Sequence, residues 1–205
     1  LMATPKITFV RGQGGLGRPL PNNDHISALM FFNDTLPSGF ATNDRVKAVF
    51  SLEQAESLGI VEGSADHAVE HYTIKTFFEA NPKAKLYIAI HVLTANSYDF
   101  AEIETLQQFA NGEIRQLGIV DLSDGAVAKI GTDNVHDAIQ TKVDALKAID
   151  QPLSVLIGFD DSAMTDATTF PDLSAETAPN VSVVIGQDGA GDGSALQTSN
   201  GTSIP

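Results

Sequence analysis

The sequence predicts an α/β fold in which a largely parallel or mixed central sheet carries helices on both faces, with an extended N-terminal arm. Apolar runs of strand length alternate with helical patterns from about residue 85 to about residue 186. Segments of this length allow the crossover connections that parallel strands require. The chain has 205 residues, of which 42% are hydrophobic, so it is long enough to form one good core.

Seven short segments have the composition of strands. Apolar and β-branched residues dominate them, and turn residues such as Pro37, Ser38 and Gly39 separate them. The predicted strands are residues 6–10, 26–32, 46–50, 85–92, 114–120, 153–159 and 181–186.

Two helices are predicted in the first half of the chain. Ser51 caps a short helix, and Gln54 at the third helical position completes a capping box. A longer helix over residues 65–80 ends at Asn81 and Pro82, because proline cannot continue a helix.

Two further helices are predicted in the second half. One covers residues 100–110 and is ended by Asn111 and Gly112. The other begins near Asp133, and a single turn of helix is expected near Leu173. An apolar stripe at helical spacing marks the helix from Asp133 as one that packs on a core, and it consists of Val135, Ile139, Val143 and Leu146.

The chain divides into three parts. Residues 1–22 form an arm or loop, because the glycines and prolines after residue 11 oppose both helix and ladder. Residues 23–187 form the α/β domain. Residues 188–205 form a flexible, acidic, glycine-rich tail that offers nothing to bury.

The charge of the chain excludes some partners. The net charge of −14 disfavours nucleic acid as the main ligand, because phosphate binding needs a basic surface. Residues 1–50 carry a net charge of +2, whereas residues 151–205 carry −7 and contain no Lys or Arg. This asymmetry reflects either uneven solvation of the surface or head-to-tail attraction between identical subunits. The second interpretation assigns subunit contacts to Lys6, Arg11, Arg18, Asp188 and Asp192.

No membrane role is expected. The longest apolar runs, such as residues 86–93, are far shorter than the roughly 20 residues that cross a bilayer. Because the N-terminal residues also lack the apolar core of a secretion signal, we expect a soluble intracellular protein.

The only sharp enzymatic signal is the run from His67 to His71, which spells the HxxEH motif of the inverted zincins. On a helix the two histidines lie one turn apart and would share a tetrahedral Zn²⁺, while Glu70 would polarise a bound water. A third ligand is needed, such as Glu102 or Glu104 from the following helix. The alternative is that both histidines simply pack on a helix face. The motif therefore supports a zinc-dependent hydrolase as the alternative function.

Three other patterns resemble ligand sites less closely. The glycines of residues 12–17 follow a strand but do not open a helix, so a flexible arm explains them better than a phosphate loop. The run that begins at Asp188 resembles a calcium loop, but it has Ala190 at the third ligand position and Ser199 at position twelve, where charged ligands are needed, so a glycine linker explains it better. Acidic and hydroxyl side chains follow the predicted strands at the edge where α/β folds bind ligands, namely Asp121, Ser123, Asp124, Asp160 and Asp161.

The chain resembles a structural family over residues 46–186. In order, the matching features are the segment beginning at Ser51, the Leu58-Gly59 turn, the helix that ends in Phe77-Phe78-Glu79-Ala80-Asn81-Pro82, and the strand from Leu86 to Ile90. The helix over residues 139–152 and the strand beginning near residue 179 continue the match. This order is similar to that of the contractile tail sheath proteins of Mu-like bacteriophages and prophages.

The resemblance implies a structural subunit that is not an enzyme and needs no cofactor. Such a subunit polymerises into a helical assembly around a tail tube, contracts by rigid-body rearrangement, and contacts tube and baseplate proteins. Its expected location is a virion tail or phage-like particle assembled in the bacterial cytoplasm. Family members continue into a C-terminal domain, so the acidic tail is expected to lead into such a domain.

Overall fold

Strands and helices alternate along the chain in the computed structural model, which describes residues 26–92, 100–121, 135–158 and 177–184. The elements in chain order are β1 (Ser27–Phe32), β2 (Val46–Val49), α1 (Leu52–Ser57), α2 (Ala68–Ala80), β3 (Leu86–His91), α3 (Ala101–Phe109), β4 (Gln116–Asp121), α4 (Val135–Lys147), β5 (Ser154–Gly158) and β6 (Val181–Val184). Each of them matches a predicted segment to within a few residues. The predicted strand over residues 6–10, the arm, the tail and the turn near Leu173 lie outside the described residues.

The six strands form one sheet in the order β2-β3-β1-β4-β5-β6. All pairs are parallel except β2 with β3, in which Val46 lies opposite Ala89. The chain runs from β1 to one side of the sheet and then, after β3, crosses to the other side. This is the doubly wound arrangement, so the predicted α/β class with a mixed sheet is confirmed.

Helices cover both faces of the sheet. On one face, α1 and α2 pack against the strands through a buried cluster that includes Phe31, Ile74, Phe78 and Ile88. On the other face, α3 and α4 pack through a larger cluster. The predicted stripe of α4 belongs to this second cluster, and all four of its residues are buried. Successive residues of a strand point to opposite faces of the sheet. Because helices cover both faces of the central strands, these strands are apolar at successive positions.

The start of α1 follows its predicted cap. The Ser51 hydroxyl accepts a hydrogen bond from the Gln54 backbone N–H over 3.4 Å. The Gln54 side chain accepts in turn from the backbone N–H of Phe50, over 2.8 Å. The reciprocal pattern of a capping box is therefore present, with its return bond one residue before the cap.

The predicted turns at Gly39 and Gly59 pack against each other. The Gly39 N–H donates to the Leu58 carbonyl over 2.9 Å. Gly59 has a φ of +90°, and a Cβ there would lie 2.6 Å from the Ser38 hydroxyl oxygen. Only glycine fits this position, because both the backbone conformation and the close contact exclude a side chain.

One part of the sheet is left uncovered by the described helices. Alternate residues of β5 and β6 point away from α3 and α4, on the side where α1 and α2 cover only the other strands. We call this surface the open sheet face. It consists of Ser154, Leu156, Gly158, Ser182 and Val184, and Leu156 and Val184 are 49% and 48% exposed.

No helix within the described ranges is both long enough and apolar enough to cross a membrane.

Candidate functional site

A buried polar cluster lies where β1 ends. Asn33 directly follows β1, and its side-chain amide donates to the Glu70 carboxyl oxygen Oε1 over 2.6 Å and to the Asp66 backbone carbonyl over 2.8 Å. The Asn33 side-chain oxygen accepts from the Thr35 backbone N–H over 3.0 Å. Three partners therefore fix the orientation of this amide.

Glu70 is completely buried beside this amide. Its Oε1 atom also lies 3.3 Å from Nδ1 of His67, which is 5% exposed. Its second oxygen, Oε2, is buried and has no hydrogen-bond partner among the described residues. A buried oxygen without a partner is costly, so the Asn33 contact carries much of the stabilisation of this carboxyl group.

The second histidine of the HxxEH run belongs to a different contact. Nε2 of His71 lies 2.9 Å from Oε1 of Glu56, a residue in the last turn of α1. His71 is 3% exposed, whereas the Glu56 side chain is 41% exposed. The two histidines thus face two different carboxyl groups, and this pair connects α1 to α2.

The structure differs from the zinc hypothesis in two respects. First, α2 begins at Ala68, so His67 is the residue that precedes the helix and has a φ of −125° and a ψ of 15°. The predicted start at residue 65 was therefore wrong by three residues, and the two histidines do not occupy equivalent positions on one helix. Across the described ranges, no three His, Asp or Glu side chains are arranged to hold a metal ion.

Second, the suggested third ligands lie elsewhere. Glu102 and Glu104 belong to α3, whose buried residues Ile103 and Leu106 pack on the sheet face opposite to α2. Glu104 instead accepts a hydrogen bond from Lys142 of α4 over 3.1 Å. The sheet separates both glutamates from His67 and His71, so the expectation that either completes the site was wrong.

A shallow pocket of about 280 Å³ lies at the end of β3. It is lined by the turn before β2, by His91 at the end of β3, and by Thr105 and Phe109 of α3. Arg45 also lines it, and the Arg45 Nε donates to the Thr42 carbonyl over 3.0 Å. The buried atoms Nη1 of Arg45 and Nε2 of His91 have no hydrogen-bond partner among the described residues.

Burial and charge act together on His91. Removal of the ring from water, and secondarily the positive charge of Arg45, lower the pKa of His91 to about 4. The imidazole is therefore neutral at pH 7. It packs against Phe32 with a ring separation of 6.4 Å, which places it among apolar groups. A neutral, buried histidine in this position acts as part of the core.

Several of these residues could not be predicted from the sequence. Nothing in the local sequence singles out Asn33, Glu56, Arg45 or His91, because each meets its partner only through the strand order. Of the acidic and hydroxyl residues proposed at strand ends, Asp121 ends β4 next to the end of β1. The other four, as well as Lys6, Arg11, Arg18, Asp188 and Asp192, lie outside the described residues.

None of the models of known protein families matches the chain, and no curated protein matches it significantly.

Proposed function

We propose that this chain is a structural subunit of a contractile tail sheath of the type found in Mu-like bacteriophages, and that it acts by assembly. The observation that carries the proposal is the order of the sequence features over residues 46–186. These features are turns, helix ends and packing residues. Members of a structural family share features of this kind, because they have no reactive group in common.

Two structural observations support an assembly role. The residues of the HxxEH run make contacts inside the domain, where Glu70 joins Asn33 and His71 joins Glu56. The open sheet face, in contrast, exposes apolar side chains at Leu156 and Val184. These two side chains are available for contact with another protein.

The proposed mechanism needs a rigid body and two arrangements of its interfaces. A mixed, mainly parallel sheet between two helical layers supplies the rigid body, since close-packed cores do not deform continuously. Contraction then moves whole subunits between the two arrangements. A free energy difference of a few kcal/mol per subunit, the usual scale of two-state elements, adds up along a long tube.

Electron microscopy of the full-length protein tests the proposal. We expect tubes or stacked rings, either with the protein alone or after addition of its tail tube partner. A protein that stays monomeric under a wide range of assembly conditions, with and without a tube, would contradict the proposal.

A zinc-dependent hydrolase is the second candidate function. The observation that favours it is the buried Oε2 atom of Glu70, which has no hydrogen-bond partner among the described residues. It requires that the two histidines leave their present carboxyl partners. Zinc analysis of the purified protein distinguishes this candidate from the sheath subunit.

A further inference from the structure

The pocket at the end of β3 is lined by two residues that carry buried nitrogen atoms without a hydrogen-bond partner. These atoms are Nη1 of Arg45 and Nε2 of His91, and neither has a partner in the described part of the chain. A buried donor that has lost its water without gaining a partner costs free energy, so such groups are rare in folded proteins. A ligand that accepts hydrogen bonds from these two atoms recovers that cost.

The sheet explains why the two side chains meet at one pocket. The Ile90 N–H donates to the Arg45 carbonyl over 3.1 Å, and His91 follows Ile90 as the last residue of β3. The Arg45 Nε donates to the Thr42 carbonyl over 3.0 Å, which holds the guanidinium group at the pocket by one edge. Water does not reach Nη1, so the half-buried Arg45 side chain turns toward the pocket when a ligand binds.

The charges at the pocket select the ligand. His91 is neutral at pH 7, because burial and the Arg45 charge lower its pKa. Asp44 also lines the pocket, and its carboxylate pairs with Lys47. Among the described residues that line the pocket, Arg45 therefore supplies the positive charge without a carboxylate partner. A carboxylate matches the planar guanidinium group, whereas Asp44 repels the second negative charge of a phosphate.

The walls of the pocket favour an apolar body on this ligand. Phe109 lines the pocket with a side chain that is 49% exposed, and its ring lies edge-on to Tyr87 at 6.1 Å. An apolar group packed on this ring removes aromatic surface from water. The volume of about 280 Å³ lies at the lower end of the range of ligand pockets, so the ligand is small.

We propose that this pocket binds a small monocarboxylate with an apolar body, whose carboxylate accepts hydrogen bonds from Arg45 and His91. The neutral imidazole donates through Nε2 when its proton lies on that atom. This binding site goes beyond the proposed sheath function and does not depend on it.

Titration with sodium benzoate tests the pocket, and the ring proton signals of His91 in NMR spectra report binding. We expect shifts that saturate with a dissociation constant on the order of 1 mM, the affinity of a ligand with about ten non-hydrogen atoms. Benzyl alcohol, which has the same ring without the charge, and inorganic phosphate should each bind at least about tenfold more weakly. Sodium chloride at equal concentration is the blank. Shifts that do not saturate by about 20 mM benzoate, or equally tight binding of either comparison ligand, would overturn the proposal.

Substitution of Arg45 tests its role in binding. Arg45→Gln is expected to weaken benzoate binding at least about tenfold, because a charge-assisted hydrogen bond is lost. Arg115→Gln is the matched control and should change the affinity less than about twofold. Arg115 precedes β4 at the opposite end of the sheet, where its Nη1 donates to the Gly112 carbonyl over 2.7 Å. Melting temperatures show whether the variants fold, and benzoate binding by folded Arg45→Gln at the wild-type level would contradict the proposal. If Arg45→Gln does not fold, the comparison of ligands on the wild type decides the proposal by itself.

Discussion

The side-chain amide of Asn33 donates a hydrogen bond of 2.6 Å to the fully buried carboxyl group of Glu70, which is 37 positions further along the chain. This contact joins the end of the central strand β1 to the first turn of α2. It also accounts for Glu70, which in the sequence has the position of a zincin base but in the structure holds two elements together.

The first prediction concerns this contact. Asn33→Ala is expected to lower the free energy of unfolding by about 1 to 3 kcal/mol, because it leaves a buried carboxyl oxygen without its main donor. Urea denaturation measures the change. Thr76→Val is the control, since the exposed Thr76 hydroxyl bonds only to a carbonyl of its own helix, and the expected change is below about 0.5 kcal/mol. Equal effects of the two substitutions would show that the contact contributes nothing specific.

The second prediction concerns zinc. The protein purified without chelator is expected to contain less than about a tenth of a zinc ion per chain, because a zinc site needs three or four ligands around one point. Elemental analysis gives the number. One zinc ion per chain that is lost in His67→Ala and His71→Ala would reverse the choice between the two candidate functions. If zinc is present but retained in both variants, it is bound elsewhere.

The third prediction concerns pH. The pKa of His91 is about 4 in the folded protein and about 6.5 in the unfolded chain. The unfolded chain therefore binds more protons between these values, so His91 stabilises the fold fully above pH 6.5 and less as the pH falls toward 4. Between pH 7 and pH 4.5 the loss due to His91 is about 2 to 3 kcal/mol, at about 1.4 kcal/mol per pKa unit.

The variant His91→Phe isolates this effect. It keeps an aromatic ring next to Phe32 but removes the titrating group, so its unfolding free energy should fall less between pH 7 and pH 4.5 than that of the wild type. Arg45→Gln should raise the pKa of His91, which an NMR titration of the ring protons detects, because the Arg45 charge is one of the two causes of the shift. Identical pH profiles of the wild type and His91→Phe would contradict the prediction.

The fourth prediction concerns salt. If the basic N-terminal part attracts the acidic C-terminal part of a neighbour, assembly should weaken as the salt concentration rises above about 0.15 M, where charges are screened beyond roughly 8 Å. Sedimentation at increasing salt concentration tests this attraction. Arg18→Glu should weaken assembly at low salt, while Lys83→Glu, at an exposed position between α2 and β3, should not. Assembly that does not depend on salt would remove the head-to-tail interpretation and with it the roles of Lys6, Arg11, Asp188 and Asp192.

Much of the fold was predictable because its signals are local. The alternation of apolar residues, the Ser51 cap and the proline at residue 82 each act within a few positions, so strand and helix limits were predicted to within about three residues. The start of α2 shows the largest difference, since the helix begins three residues after the predicted start. Residues 65–67 include no proline or glycine that would exclude them from a helix, so the sequence does not show that the helix starts after them. In the structure, the hydrogen bond from Asn33 to the Asp66 carbonyl holds this segment in a turn before the helix.

The candidate site was much less predictable, and the zinc motif shows why. A motif of five consecutive residues specifies which side chains lie near each other on a helix, but not which groups from other elements surround them. Glu56 reaches His71 from α1, and Asn33 reaches Glu70 from β1. Glu102 and Glu104 are close to α2 in the sequence, but α3 crosses to the other face of the sheet.

The sequence by itself determined the α/β class, the order of the elements and the apolar faces of the helices, because periodicity and end signals are properties of short segments. Only the tertiary structure decided that β2 runs antiparallel at one edge, that Glu70 pairs with Asn33, and that none of the described helices covers one face of β5 and β6. These features depend on strand order and on the side of the sheet that each connection takes. Both are set by the free energy of packing the whole domain, to which distant residues contribute jointly.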